Sequence, residues 1–266
     1  QRFQEQPFRA KQIYTWLHKK HVVDLDAMTN LSVALRANLA AVGWVDLPRV
    51  ELIKVSDDGT RKYLLRTHDG HAVETVYIPD ASGPGHNALC ISSQVGCAMG
   101  CRFCATGAMK LSRNLSAGEI VAQVYVVERD LRQIEPGKSG RFAQNIVFMG
   151  MGEPLHNYRE VVRSIWLLTH VDGMHFSPRR ITVSTSGIAN KLEQLGHDTG
   201  VQIAISLNAT TDAAREKIMP VNRKWNLQAL FDACRSFPLQ ARRRITVEYV
   251  LLDGINHTED AARRQV

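Results

Sequence analysis

The chain has 266 residues, 44% of them hydrophobic and 22% charged, the balance of a globular protein with a sizeable core rather than of a disordered segment. No apolar run approaches the roughly 20 residues that cross a bilayer, so no membrane partner and a cytoplasmic location are expected. Thirty-three Lys and Arg against 26 Asp and Glu leave a formal charge of +7, which suits a polyanionic partner and equally a solvated basic surface.

The N-terminal stretch reads as helical. Ile13, Trp16 and Leu17 share one helix face, and Leu31, Leu35 and Leu39 form a second stripe with Thr29 or Asn30 as its cap. We expect a small helical module over residues 1–48, whose Arg9, Lys11, Lys19, Lys20 and Arg36 either meet RNA phosphates or stay solvated. Residues 49–84 alternate apolar and polar, broken at Asp57-Asp58-Gly59 and His68-Asp69-Gly70, which predicts a short antiparallel meander. Glu74, inside it, reads by alternation alone as a solvent-facing strand residue.

From residue 85 to 266, strand-like runs begin at Leu89 and recur at Asn145 to Met149, Arg180 to Ser184, Val201 to Leu207 and Ile245 to Leu251, separated by helical stretches. One of these opens with a capping box, Ser116-Ala117-Gly118-Glu119. Strand-then-helix alternation argues for an α/β fold with a parallel sheet, open or closed into a barrel, and ligands at the carboxyl ends of the strands. Met149-Gly150-Met151-Gly152-Glu153-Pro154 falls at such an end. Its glycines would let backbone approach a ligand, and Glu153 offers a carboxylate to an ammonium group.

Three of the five cysteines lie in Gly96-Cys97-Ala98-Met99-Gly100-Cys101-Arg102-Phe103-Cys104. Iron–sulfur clusters are normally held by four thiolates, so a compact loop with three implies an iron with an open position. Zinc is the alternative, although no distant second ligand pair is evident. An odd, sparse cysteine count without a signal-peptide pattern argues against a disulfide framework and for a reducing compartment. Arg102 and Phe103 could tune or shield a cluster or simply pack. Cys90, in an apolar strand, reads as a small buried hydrophobe, and serines at strand ends read as helix caps.

The Cys97-x3-Cys101-x2-Cys104 loop resembles the radical-SAM signature, where SAM is S-adenosylmethionine. Leu89-Cys90-Ile91-Ser92-Ser93-Gln94-Val95-Gly96-Cys97, Phe148 to Leu155, Ser184-Thr185-Ser186-Gly187 and Ile218-Met219-Pro220-Val221-Asn222 are similar to blocks of the RlmN/Cfr group of radical-SAM RNA adenine methyltransferases. Pro7-Phe8-Arg9-Ala10 and Met28-Thr29-Asn30-Leu31 extend the likeness, which spans residues 8 to 257. The resemblance implies a partial (β/α) radical-SAM barrel, a [4Fe-4S] cluster on Cys97, Cys101 and Cys104, and SAM held by Gly152, Glu153, Ser184, Ser206, Leu207 and Asn208. Asn208 stands where the group more often carries histidine. Glu74 matches the group's proton acceptor, and Cys90 matches a cysteine that completes its reaction. Implied partners are ribosomal RNA and tRNA, with a flavodoxin-type electron donor and a monomeric enzyme.

The group's reaction passes a methyl group through a C-terminal cysteine in an Ala-Ala-Cys-Gly setting, which this sequence lacks. Cys234, in a helical stretch from Leu227 to Phe237, is no substitute. We expect a chain shorter than its family, with full activity needing the further segment. The predicted activity is methylation of adenine C2. The alternatives are methylation at C8 and a remnant that binds RNA without modifying it.

Overall fold

A computed structural model describes residues 5–43, 45–80, 85–240 and 243–264. Two helices open the chain, α1 (Pro7–His18) and α2 (Val33–Val42). Met28, Leu31 and Leu35 are buried between them, with Ile13, Trp16, Leu17 and Leu39 packed around. The predicted stripes thus face each other. The cap of α2 is Ser32 rather than Thr29 or Asn30: the Leu35 amide donates to its Oγ at 3.2 Å. Asn30 is engaged elsewhere, its Oδ1 accepting from Trp16 Nε1 at 2.6 Å and its carbonyl from Arg9 at 3.0 Å.

The meander follows as β1 (Arg49–Val55), β2 (Arg61–Arg66) and β3 (Ala72–Ile78), turning where the two Gly-containing segments were expected. These antiparallel strands run on, through β4 (Ala88–Cys90), into the parallel strands β7 (Asn145–Phe148), β8 (Ile181–Thr185), β9 (Gln202–Ser206) and β10 (Thr246–Glu248). A two-residue pair, β5 (Gln94–Val95) with β6 (Arg113–Asn114), stands apart, and the short helix α3 (Ala105–Ala108) lies between its strands. The eight-stranded order is β1-β2-β3-β4-β7-β8-β9-β10. Parallel strands laid down in sequential order, each joined to the next by helical chain, form the wall of a partial (β/α) barrel.

Helices cover one face of this wall. In α4 (Ala117–Ile134), Ile120, Val124, Val127 and Leu131 recur at helical spacing and are at most 4% exposed. Burying each such side chain contributes about 1.5–3 kcal/mol. The predicted capping box is present, with Ser116 Oγ accepting from the Glu119 amide and Glu119 accepting from the Ser116 amide. α5 (Tyr158–Thr169) adds Val161, Ile165 and Leu168. Beneath them lie Val73, Thr75 and Tyr77 of β3, Leu89, Ile146, Phe148, Val183 and Ile203, all buried. α6 (Leu192–Thr199), α7 (Asp212–Ile218), α8 (Leu227–Ser236) and α9 (Glu259–Arg263) complete the set. Among the described residues no helix is long and apolar enough to cross a membrane.

β10 is shorter than the predicted run to Leu251. Asn208 Oδ1 accepts from the Val250 amide at 2.8 Å, and Asn256 bonds both the Leu252 amide and the Val250 carbonyl, turning the chain out of the sheet. α1 docks on the core through Tyr14, which donates to the Leu167 carbonyl at 3.2 Å, through Lys11 to Asp172 at 2.9 Å, and through a hydrogen bond between His18 and Tyr125.

Candidate active site

Strand register decides which side chains share the uncovered face. Val76 pairs Cys90, Cys90 pairs Val147, Val147 pairs Thr182, and Ser206 pairs Glu248. Because side chains alternate along a strand, Glu74, Cys90, Ser184, Ser206 and Glu248 all point to the face opposite the helices. The strands' half-buried positions lie there while their partners on the other face are buried.

The carboxyl ends of β7 to β10 surround a cavity of about 350 Å³. Cys97, Cys101 and Cys104 line one side, and Gly152, Glu153, Ser184, Ser206, Asn208 and Glu248 line the other. Leu207 does not line it. Its side chain is buried away from the cavity, and its backbone is taken by Glu248 and Arg215.

The cysteine loop is closed at its base by the β5/β6 pair. The Cys97 amide donates to the Lys110 carbonyl, and Gly96 is obligatory because a Cβ there would lie 1.7 Å from that oxygen. The Arg102 amide donates to the Ile218 carbonyl at 2.9 Å, which ties the loop to the 218–222 block. Phe103 lines the cavity, whereas Arg102 points to solvent. All three cysteines are free thiols. Burial pushes the Cys101 thiol up to about 12, and the neighbouring Cys97 and Cys104 add to the shift. Among the described residues no three His, Cys, Asp or Glu side chains are gathered as ligands of one metal ion. In a cluster each thiolate binds its own iron, and these residues fit that group.

Glu153 is buried, and its carboxylate accepts four hydrogen bonds: from the Leu155 amide and Thr185 Oγ1 on Oε1, and from the Ser186 amide and Oγ on Oε2. Burial raises its pKa, and these donors offset only part of the rise. The Glu153 amide in turn donates to Gln94 Oε1 at 2.8 Å, so the glycine-rich turn rests on the strand before the cysteine loop. Gly152 has φ +101°, and a Cβ would come within 2.5 Å of Gln94. Packing behind the cavity therefore requires the glycine, which also lines the cavity.

Ser184 and Ser206 cap no helix. Both donate to one oxygen of Glu248, at 2.7 and 2.9 Å. Sequence reasoning missed Glu248, since nothing local marks a carboxylate at the end of the last strand. It also missed Arg215, fully buried in α7, which donates to the carbonyls of Leu207, Ser186 and Ser206 and to Asn222 Oδ1. Burial lowers the Arg215 pKa to about 10, Cys101 and Asp212 oppose the shift, and the group stays charged beside the cysteine loop at neutral pH. Asn208 adopts the left-handed conformation at φ +56° and lines the cavity, but its side-chain oxygen is already used by Val250.

Cys90 and Glu74 lie outside the cavity on the same uncovered face, farther along the wall. Burial pushes the Cys90 thiol up to about 11. The Glu74 carboxylate is half-exposed and paired with Lys62 at 2.6 Å.

The family described as ribosomal RNA large subunit methyltransferase N-terminal domain matches residues 1–45, and the radical SAM superfamily matches residues 91–264. The dual-specificity RNA methyltransferase RlmN of Geobacter sulfurreducens is 50% identical over 259 residues, covering 97% of this chain and 68% of that protein. RlmN of Geotalea uraniireducens is also 50% identical, over 97% of this chain and 72% of its own length. The crystal structure of a radical SAM methyltransferase from Sphaerobacter thermophilus superimposes with a TM-score of 0.87 at 43% identity, covering 97% of this chain and 74% of that one.

Proposed function

The chain belongs to the RlmN family of radical SAM RNA methyltransferases, and from that premise we propose that it serves methylation of adenine C2 in RNA, ribosomal RNA and tRNA being the substrates. The observation that carries this reading is the single cavity in which three thiols face Glu153, Ser184 and Ser206 across the carboxyl ends of parallel strands. When bound, the [4Fe-4S] cluster and SAM supply one-electron chemistry and the methyl group.

Cys97, Cys101 and Cys104 hold the cluster. Gly152 and Glu153 bind the amino end of SAM, for which the Ser186 and Thr185 hydroxyls can rotate to leave carboxylate lone pairs free. Ser184, Ser206 and the Asn208 amide take the remaining polar contacts. Glu74 is the proton acceptor at the target carbon, and the Cys90 thiol completes release of the product. Their shared face and the Val76–Cys90 pairing support this division, because Glu74 is then a diagonal neighbour of Cys90 across two strands. The module's Arg9, Lys11, Lys19, Lys20 and Arg36 contact RNA phosphates. A flavodoxin-type donor, a monomer and a cytoplasmic site complete the reading.

The test is anaerobic iron and sulfide quantitation with EPR after reduction, with and without SAM, on this chain and on Cys101→Ala. About four irons per chain, with a spectrum that changes on adding SAM and is lost in the variant, is expected. Zinc, or no metal after reconstitution, refutes the radical reading. Mass spectrometry of product nucleosides separates 2-methyladenosine from the 8-methyl isomer.

A further inference from the structure

A cavity of about 790 Å³ lies apart from the catalytic one. It opens between the end of α1 and the core, and five cations line it: Lys19 and Lys20 from the module, and Arg129, Arg132 and Arg141 from α4 and the loop before β7. Among the described residues no carboxylate lines it. The nearby acids are neutralised elsewhere, Asp172 by Lys11 at 2.9 Å and Glu135 by Lys138 at 3.7 Å. Glu128 is buried, accepts from the Phe142 and Ala143 amides and pairs with Arg132 at 3.6 Å, which compensates one of the five cations.

Some of these cations have structural duties. Arg132 donates to the Gly140 carbonyl at 3.0 Å, Arg141 donates to the Met174 carbonyl, and Lys20 sits 3.5 Å from the Trp16 ring centre. Lys19 and Arg129 are exposed and have no ionic or hydrogen-bonding side-chain partner among the described residues. Compensation of the helix dipole accounts for cations in the last turn, but Arg129 lies more than one turn before the end of α4 at Ile134. Burial pushes the His21 imidazole in this cleft down to about 4, and Arg132, His18 and Arg141 contribute.

We propose that this cleft is a second RNA contact, binding the phosphodiester backbone of a segment remote from the target adenine and gripping it between module and core. The inference rests on the reading of RNA as substrate. The cleft is built from residues that precede β7 and β8, at the amino ends of the strands, whereas the catalytic cavity lies at their carboxyl ends. Strand β7 alone separates the two ends by about 13 Å, so one nucleotide cannot fill both sites. An open trough with cations on both walls matches a run of phosphates better than a single anion.

Fluorescence anisotropy with a labelled RNA hairpin carrying the target adenine, measured over a range of NaCl concentrations, tests the proposal on the unaltered chain, on K19A/R129A and on an R235A control. Each lost phosphate contact flattens the slope of log affinity against log salt by about 0.7–0.9. The double variant is therefore expected to bind about tenfold more weakly at low salt, with a slope flatter by about 1.5, at unchanged iron content and SAM affinity. R235A should match the unaltered chain. Equal affinity and slope for K19A/R129A and the unaltered chain would overturn the cleft, and the Lys19 contact with it, while leaving RNA as the substrate. No RNA binding by the unaltered chain would overturn both. Displacement of RNA by ATP beyond its ionic-strength effect, lost in K19A/R129A, would make the cleft a nucleotide site and overturn the proposal.

Discussion

Glu248 shows how much one side chain outside any motif can organise. By accepting hydrogen bonds from both serine hydroxyls on one oxygen, it turns the lone pairs of Ser184 and Ser206 outward, and it leaves its other oxygen without a hydrogen bond among the described residues. A hydrogen bond to a charged group contributes about 1.5–3 kcal/mol. Glu248→Ala should therefore weaken SAM binding to the cluster-loaded protein by about tenfold, measured by isothermal titration calorimetry. An unchanged affinity would reduce Glu248 to a strand-end residue. The serines themselves were legible from their motif blocks, but their donor role was not, because the acceptor lies 42 and 64 residues away in sequence.

At the scale of elements, the chain leaving β8 and β9 and the 218–222 segment are tied together by the Arg215 guanidinium, at the point where the sheet pairing of the two strands ends. Removing it leaves three carbonyls short of a donor, at about 1–3 kcal/mol for each buried unsatisfied group. Arg215→Met should lower stability by about 3 kcal/mol or more and reduce iron loading, since the Ile218 carbonyl anchors the cysteine loop. Calorimetry and iron quantitation under anaerobic conditions check both, and Arg215→Lys should recover only part of the loss. The elements themselves were readable where local chemistry decides, as with the Ser116 capping box and the glycine turns of the meander. Local chemistry misled at α2, where Ser32 displaced Thr29 and Asn30, and at β10, where Asn208 and Asn256 end the strand early.

At the scale of the whole molecule, the helical module is fastened to the core through imidazoles held neutral. Burial pushes His18 and His21 down to about 4, with His170 assisting at His18 and Arg132 at His21. The unfolded chain takes up protons near 6.5 and the folded one only near 4. The stability these groups confer is thus complete above about pH 6.5 and lost as pH falls towards 4. Melting temperature should drop across that window more steeply for the unaltered chain than for His18→Gln/His21→Gln; parallel curves would show that the two rings do not couple docking to pH. The sequence by itself determined the cysteine loop, the glycine-rich turn and the strand–helix alternation, because each depends on residues within a few positions of one another. Only the tertiary structure decided that the meander and the parallel strands form one continuous sheet, that Glu248 and Arg215 complete the cavity, and that cations from the module and the core converge in one cleft. Those outcomes depend on strand register and helix docking, which are set by the sum of many distant contacts and leave no local mark in the chain.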